Sequence, residues 1–558
     1  MRLPRDMLAR QLLYEQLVRE CTASRADRFK MYQILRNYFL FGTESANGAP
    51  YNKIASTVET LSSFIYSPDT MRFSLHLGTE ASSDEVHKAV PLSREVTEQW
   101  RVSRTHILFG LGLRWSMVFG VMLLKHMWSE KRVRSYLVEP HQFGVLREDV
   151  MDLADQEAFT HHYTITRTQL EKNLEGNPRK ASIMARVGAV SGETLPPLAS
   201  GLSRLLLGSP VGGIPGSLAR PGQTSGFLSG MGQGPGYDYA PKIKAELVDM
   251  CDLYVWDDEI TDYQVVTRAG PDVIIFDRPS HWMGHVQGLA PFVPIRPEFN
   301  LYDYFWGDAF VARLTWLQDW RTERMYQIRQ LITRQFDPPM TMTGGVGIAE
   351  EKFLAYGIPG SRLSMSMPQG KIDVHAPQLP TDVFAELTQI DSMFEDRAGL
   401  GHVLQGKGES GVRSRGQADL MARLGSSRPK ERAIAAEESA EESAGNILRL
   451  VQDHSDQRFQ CMIPGKPEPL TFIAEQFTRD YEVKVDGHSS SPIFIEDRKH
   501  DATTLHEAGA IDLETLLDMY DPPNLQDLKE RLKVLEQKRA AQHQDELQAG
   551  IQPKGKRK

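Results

Sequence analysis

Cysteine is the scarcest residue of this 558-residue chain: there are three, Cys21, Cys251 and Cys461, far apart in sequence. That spacing makes neither a disulfide framework nor a zinc set, and it points to assembly in a reducing cytoplasm. Long apolar runs are lacking too. The nearest approach to one, ILFGLGLRWSMVFGVMLLKHMW (107–128), is broken by Arg114 and Lys125 and punctuated by three glycines. It reads as a buried helix followed by a strand rather than a membrane span. The opening MRLPRDMLARQLLYEQLVRE has no apolar core and no small-residue cleavage site. It reads as an amphipathic helix, so export is not expected. An excess of basic charge is also missing: 64 Lys and Arg stand against 73 Asp and Glu, for a net charge of −9. Proteins that grip DNA over their whole surface carry clustered cations, so the balance argues against tight general DNA binding but leaves room for light contact.

Complete catalytic motifs are absent as well. There is no G-x-S-x-G and no H-E-x-x-H. GHVLQGK (401–407) spells G-x-x-x-x-G-K, but Gly408 stands where a phosphate-binding loop needs Ser or Thr to hold Mg²⁺. The context is wrong as well: a helical pattern through Phe384, Leu387, Ile390 and Phe394 precedes it instead of a strand. A flexible Gly-rich loop between two helices is the better reading. Asp257, Asp258 and Glu259 read as a solvated turn, since consecutive carboxylates on a strand point to opposite faces. The same geometry parts the neighbours His161 and His162 and argues against metal ligation. No metal and no cofactor are expected.

What is present is the composition of a globular protein, 41% hydrophobic and 25% charged, with length for about three or four domains. Residues 1–40 look helical, and Ile54, Val58, Leu61 and Ile65 share one helix face until Pro68. VMLLKHMW and RSYLVEPHQFGVL read as strands joined by the turn SEKR, and AFTHHYTITRTQLEKNL as a strand running into a helix. Residues 187–241 collapse to Gly, Pro, Ser and Leu and read as an insertion with too little material for a core. The stretch after it, through VVTRAGPDVIIFD, forms an antiparallel strand group. A long helix is expected over 303–336, ended by Pro338 and Pro339, with Leu317, Trp320, Arg321, Arg324, Ile328, Leu331 and Ile332 on a mixed apolar and arginine face. A second helix spans 381–399. A third, 417–454, is expected to bend at Pro429 and carries Glu437, Glu438, Glu441 and Glu442, a run that usually marks a solvated face. A helical hairpin and a further helix close the chain before the basic KGKRK. The fold class is α+β.

In its order of helix, small irregular region, helix, Gly-rich loop, long helix and C-terminal helices, the chain resembles the portal proteins, or head-to-tail connectors, of short-tailed bacteriophages. The phrases that carry the resemblance are YNKIASTVETLSSFIYS, GLGLRWSMVFGVMLLKHMW with RSYLVEPHQFGVL, PFVPIRPEFNLYDYFWGDAFVARLTWLQDWRTERMYQIRQLI, LQGKGESGVRSRGQADLMARL and DGHSSSPIFIEDRKHDATTLHEAGAIDLETLL. They span most of the chain, but none is a catalytic motif, and the insertion at 187–241 departs from the pattern.

The resemblance implies a non-enzymatic subunit of a ring of about twelve copies at one capsid vertex, with double-stranded DNA passing through its centre. Residues 1–302 would be the wing, 303–336 and 381–399 paired stem helices, and 337–380 the clip. Residues 400–416 would form the tunnel loop, 417–489 the long wing helix and following strands, and 490–558 the crown and basic tail. The implied partners are the terminase large subunit, major capsid and scaffolding proteins, and tail adaptors, in a virion assembled in the host cytoplasm. Lys407, Arg413 and Arg415 would give weak phosphate contacts from a loop loosened by Gly406, Gly408 and Gly411. Glu437, Glu438, Glu441 and Glu442 would line the channel, and Trp316, Trp320, Ile328 and Leu331 would be partly buried between subunits. A packaging ATPase or nuclease, or another ring-forming virion adaptor, are the competing readings. The first needs a complete nucleotide or metal site, and the second a shorter chain.

Overall fold

The computed structural model describes residues 2–23, 25–44, 51–68, 71–78, 82–187, 247–270, 273–279, 290–298, 304–336, 340–343, 371–374, 382–399, 427–461, 469–477, 481–485, 502–520 and 532. The insertion 187–241, save Val187, lies outside them. So do nearly all of the expected clip and most of the expected crown.

The N-terminal half begins with helices α1 (Met7–Ala23), α2 (Arg25–Phe41) and α3 (Lys53–Ile65). In α3 the four apolar residues of the expected face are all fully buried. Asn52 starts the helix by accepting from the Ala55 N–H at 3.2 Å. Helix α4 (Ser83–Val102) opens with a reciprocal Ser82–Glu85 capping box. Helix α5 (Thr105–Phe119) stops at Gly120, whose φ is +96°. A Cβ there would fall 2.6 Å from the Trp306 carbonyl oxygen, so only glycine allows this reversal. The chain then enters β2 (Met122–Ser129), as the helix-then-strand reading of 107–128 requires. Trp100, Phe109, Trp115 and Phe119 from these helices form the aromatic centre of the largest core cluster.

Two antiparallel sheets follow. β2 pairs with β3 (Arg132–Val138) through a tight turn in which Glu130 and Lys131 both take positive φ, and on its other edge with β9 (Phe292–Ile295). The second sheet is a five-stranded meander of β4 (Phe143–Val145), β5 (Ala158–Thr166), β6 (Leu247–Asp257), β7 (Asp262–Ala269) and β8 (Val273–Pro279). Strict alternation gives it two apolar faces. Phe159, Tyr254, Tyr263 and Val265 join Phe292, Phe305 and Trp306 on one side, while Ala158, Leu253, Val255 and Val266 meet Tyr14 and Leu17 of α1 on the other. A short helix, α6 (Arg167–Asn173), continues β5 from a Thr166–Gln169 capping box, and α7 (Lys180–Arg186) follows it.

The C-terminal half holds α8 (Thr315–Phe336), the strands β10 (Met340–Thr343) and β11 (Lys371–Val374), α9 (Asp382–Ala398) and the 28-residue α10 (Ser427–His454). Strands β12 (Arg458–Cys461), β13 (Leu470–Ile473) and β14 (Tyr481–Val485) and helix α11 (Leu513–Tyr520) complete it. Helix α10 is the central beam of the fold. Its Ala433, Ala436, Ala440 and Ala444 form a buried small-residue stripe that lets α3, α4 and β2 approach closely, and Ile447, Leu448 and Val451 extend it. At its middle, the buried His126 of β2 is within 2.5 Å of Ser443 through Nε2 and 2.9 Å of Ser135 through Nδ1. Strand β14 returns to pair with β1 (Phe73–Leu77), so the two halves share one body. Among the described residues every strand pair is antiparallel, which makes this an α+β fold.

One expectation changes. The long helix begins at Thr315 rather than 303, because Trp306, Phe310, Val311 and Leu314 are spent filling the core from irregular backbone and a short 3₁₀ turn, Val311–Arg313. Pro429 is the third residue of α10, in the first turn, where its missing N–H costs no helical hydrogen bond. Residues 417–426, on which the expected bend depends, lie outside the described residues.

Candidate functional site

Helices α8 and α9 run antiparallel, side by side, and their contact is polar. Arg321 Nε bonds to Asp391 Oδ1 at 2.8 Å and Arg324 Nε to Glu386 Oε1 at 2.9 Å, while the Trp320 indole N–H donates to the same Glu386 oxygen at 3.1 Å. The arginines of the expected mixed face thus meet acids on the partner helix. Between the two helices in sequence, β10 and β11 form an antiparallel ribbon with Met340 opposite Val374 and Thr343 opposite Lys371. Near the start of α8 the buried Gln318 fixes the pair to α3. It accepts from the Lys53 N–H and donates to the Tyr51 carbonyl, each at 3.0 Å. Arg321 also lies 4.3 Å over the Tyr51 ring. Of the residues expected between subunits, Trp316 is 49% exposed and stacks on the half-buried Trp320. Ile328 is buried and Leu331 half-buried within the single chain, while Ile332 is exposed.

Lys407, Arg413, Arg415, Gly406, Gly408 and Gly411 lie outside the described residues. The two ends between which they run are described. Gly399 closes α9 with φ +74°, and a Cβ on it would fall 2.8 Å from Arg428 Cβ, at the start of α10. Arg428 donates to the Asp396 carbonyl and Arg432 to the Ala398 carbonyl, each at 2.8 Å, so the arginines of one helix cap the C-terminus of the other. Arg432 is held in turn by the buried Glu298 at 2.5 Å and by the Phe310 ring 5.0 Å away, and Arg313 joins Glu298 at 3.3 Å. The described ends on either side of residues 400–426 therefore meet at one clamped point. Sequence reasoning missed this clamp, although one signal was there. Arg428, Lys430 and Arg432 crowd the start of a helix, where the dipole disfavours cations, which implies a partner elsewhere.

The four glutamates of α10 divide. Glu437 is 4% exposed and belongs to the interior. Glu441 accepts from the Val485 N–H at 2.8 Å and pairs with Lys484 at 3.7 Å; burial raises its pKa against those two partners. The reading of the run as a solvated face is corrected for Glu437, which is buried, while Glu441 is half-buried where β14 packs on α10. Glu438 and Glu442 are exposed on the next face round. Glu442 keeps contact with solvent while neighbouring protein crowds its carboxyl. That burial pushes its carboxyl up to about 7, with Arg296 opposing and Asp152 adding to the rise.

The remaining candidates resolve into structural roles. Asp257 Oδ1 accepts from the Glu259 N–H at 3.1 Å inside the β6–β7 turn, and Glu259 pairs with Arg2 at 2.9 Å. His161 turns toward Lys125, and His162 sits 3.8 Å from Cys251 Sγ on the opposite face. All three cysteines are free and buried. Among the described residues no group of three or more His, Cys, Asp or Glu is placed to hold a metal, and no helix is long and apolar enough to cross a membrane. No protein-family profile matches the chain, and no curated protein matches it.

Proposed function

We propose that the chain is a portal subunit. About twelve copies would ring one capsid vertex, pass double-stranded DNA during packaging and ejection, and present a surface first to the terminase large subunit and then to tail adaptors. The observation that carries this reading is the order of α8, the β10–β11 ribbon and α9 along the chain, with α8 and α9 paired and the end of α9 clamped to the long α10. An antiparallel helix pair with a small strand ribbon between its helices in sequence would suit a stem with its clip, and the clamp at Gly399, Arg428 and Arg432 would root a tunnel loop. The body built around α10 would be the wing that meets capsid and scaffolding proteins.

Electrostatics supports the same reading. DNA moving through a ring must be surrounded without being held, since many phosphate contacts would stall it. A subunit of net charge −9 supplies a repulsive wall. Lys407, Arg413 and Arg415 would add local, salt-sensitive contacts. The stacked, exposed Trp316 beside Trp320 is the aromatic surface we assign to the neighbouring subunit. Negative-stain imaging of the purified chain tests the proposal. Axial views with a central hole are expected, and a uniform monomer population at micromolar concentration would overturn it.

A further inference from the structure

Lys125 of β2 reaches across to the five-stranded sheet and meets Asp252 of its β6 strand; the two are 5% and 4% exposed. The Lys125 ammonium nitrogen Nζ stands 3.5 Å from Asp252 Oδ2 and 3.4 Å from His161 Nδ1. The rings of Phe292 and Tyr163 lie 5.1 and 5.7 Å from it. The other carboxylate oxygen, Oδ1, accepts from Thr267 Oγ1 at 2.8 Å and from the Tyr163 hydroxyl at 3.3 Å. An amine, a carboxyl group, an imidazole and two hydroxyl donors on one carboxyl oxygen are therefore assembled in a buried space between two sheets.

A buried ion pair must repay the desolvation of two charges, and neutral products escape that cost. Burial is the largest influence on Lys125 and lowers its pKa, with Asp252 opposing, which favours the neutral, nucleophilic amine. Both reactants are held in place by separate sheets, so little orientational freedom is left to lose.

We propose that Lys125 and Asp252 condense into an isopeptide bond that joins the two sheets covalently. One proton passes from Nζ to Oδ2, giving amine and carboxylic acid. The nitrogen lone pair then attacks Cγ of Asp252, and the charge that develops on Oδ1 is held by the Thr267 and Tyr163 hydroxyls. His161 takes a proton from the nitrogen and delivers it to Oδ2, which leaves as water. One C–N bond forms, one C–O bond breaks and one water is lost. Nothing is oxidised, and no co-reactant is needed. The product carries no charge into the apolar space.

The test is the intact mass of the purified full-length chain under denaturing conditions. A deficit of one water is expected, together with a branched tryptic peptide that contains both Lys125 and Asp252 and is uncleaved after Lys125. Lys125→Arg is expected to restore the full sequence mass, and His161→Phe to leave a larger share of the chain at full mass. A linear peptide ending at an unmodified Lys125, in a chain of full mass, overturns the proposal. So does a deficit that survives in Lys125→Arg. The wild-type digest decides even if neither variant folds, and the outcome does not depend on whether rings form.

Discussion

His126 is the next residue after Lys125 on β2 and points to the opposite side, as strand geometry requires. It has no exposed surface, and burial alone pushes its imidazole down to about 3. The ordinary value, carried by the unfolded chain, is about 6.5. As pH falls through that value the unfolded state takes up a proton that the folded state refuses, so stability is lost, and the loss continues until the folded pKa is reached. The slope is about 1.4 kcal/mol per pH unit inside that window, or about 2 kcal/mol by pH 5. His126→Gln should be less stable at pH 7, because the serines at 135 and 443 lose their shared partner. It should also lose one proton's worth of acid sensitivity. Urea midpoints at pH 7 and pH 5 measure both effects. An unchanged difference between the two pH values would show that His126 already titrates in the folded state.

At the scale of elements, the α8–α9 pair depends on Glu386, which accepts from both Trp320 and Arg324. Glu386→Ala strands two half-buried donors and should cost about 1–2 kcal/mol. Trp320→Ala also removes ring packing, but the ring is only half buried. Its cost should be roughly 2 kcal/mol, below the value of about 3–5 for a fully buried aromatic. Thermal melts of the isolated subunit report the folding cost, and ring counts in images report assembly. Equal melting of Trp320→Ala and wild type would place this face in solvent. Elements like α3 were legible because one periodicity decided them. The same holds for the β2–β3 hairpin and the β6–β8 meander, where strand patterns were bounded by strong turns. The start of α8 was not legible, because aromatic residues at 306 and 310 look alike whether they sit on a helix or fill a core from a loop. The interior position of Glu437 was hidden in a charge run that reads as solvated. The clamp was hidden by distance, since Arg432 and Glu298 are 134 residues apart and no local pattern joins them.

At the scale of the whole molecule, the clamp separates folding from the proposed work on DNA. Gly399 and Arg428 touch, and Arg428 and Arg432 cap α9, whatever chain lies between them. Deleting 407–413 shortens a connection whose two ends are already held. The change in closure entropy should be only about 0.3 kcal/mol, and in the stabilising direction. Subunits lacking these residues should melt like the wild type, form normal rings and enter proheads. The deletion removes Lys407 and Arg413 and with them most of the proposed phosphate contacts, leaving the proposed acidic wall unrelieved. Particles carrying it are expected to package incompletely or to lose DNA, and the defect should deepen with salt, which screens what basic contact remains. The measurement is DNA per particle set against portal copies per particle. Full-length genomes stably retained at wild-type portal content would show that this loop has no necessary role on DNA. Failure of the deleted subunits to form rings would show that the loop serves assembly, and that the clamp does not insulate the body from it.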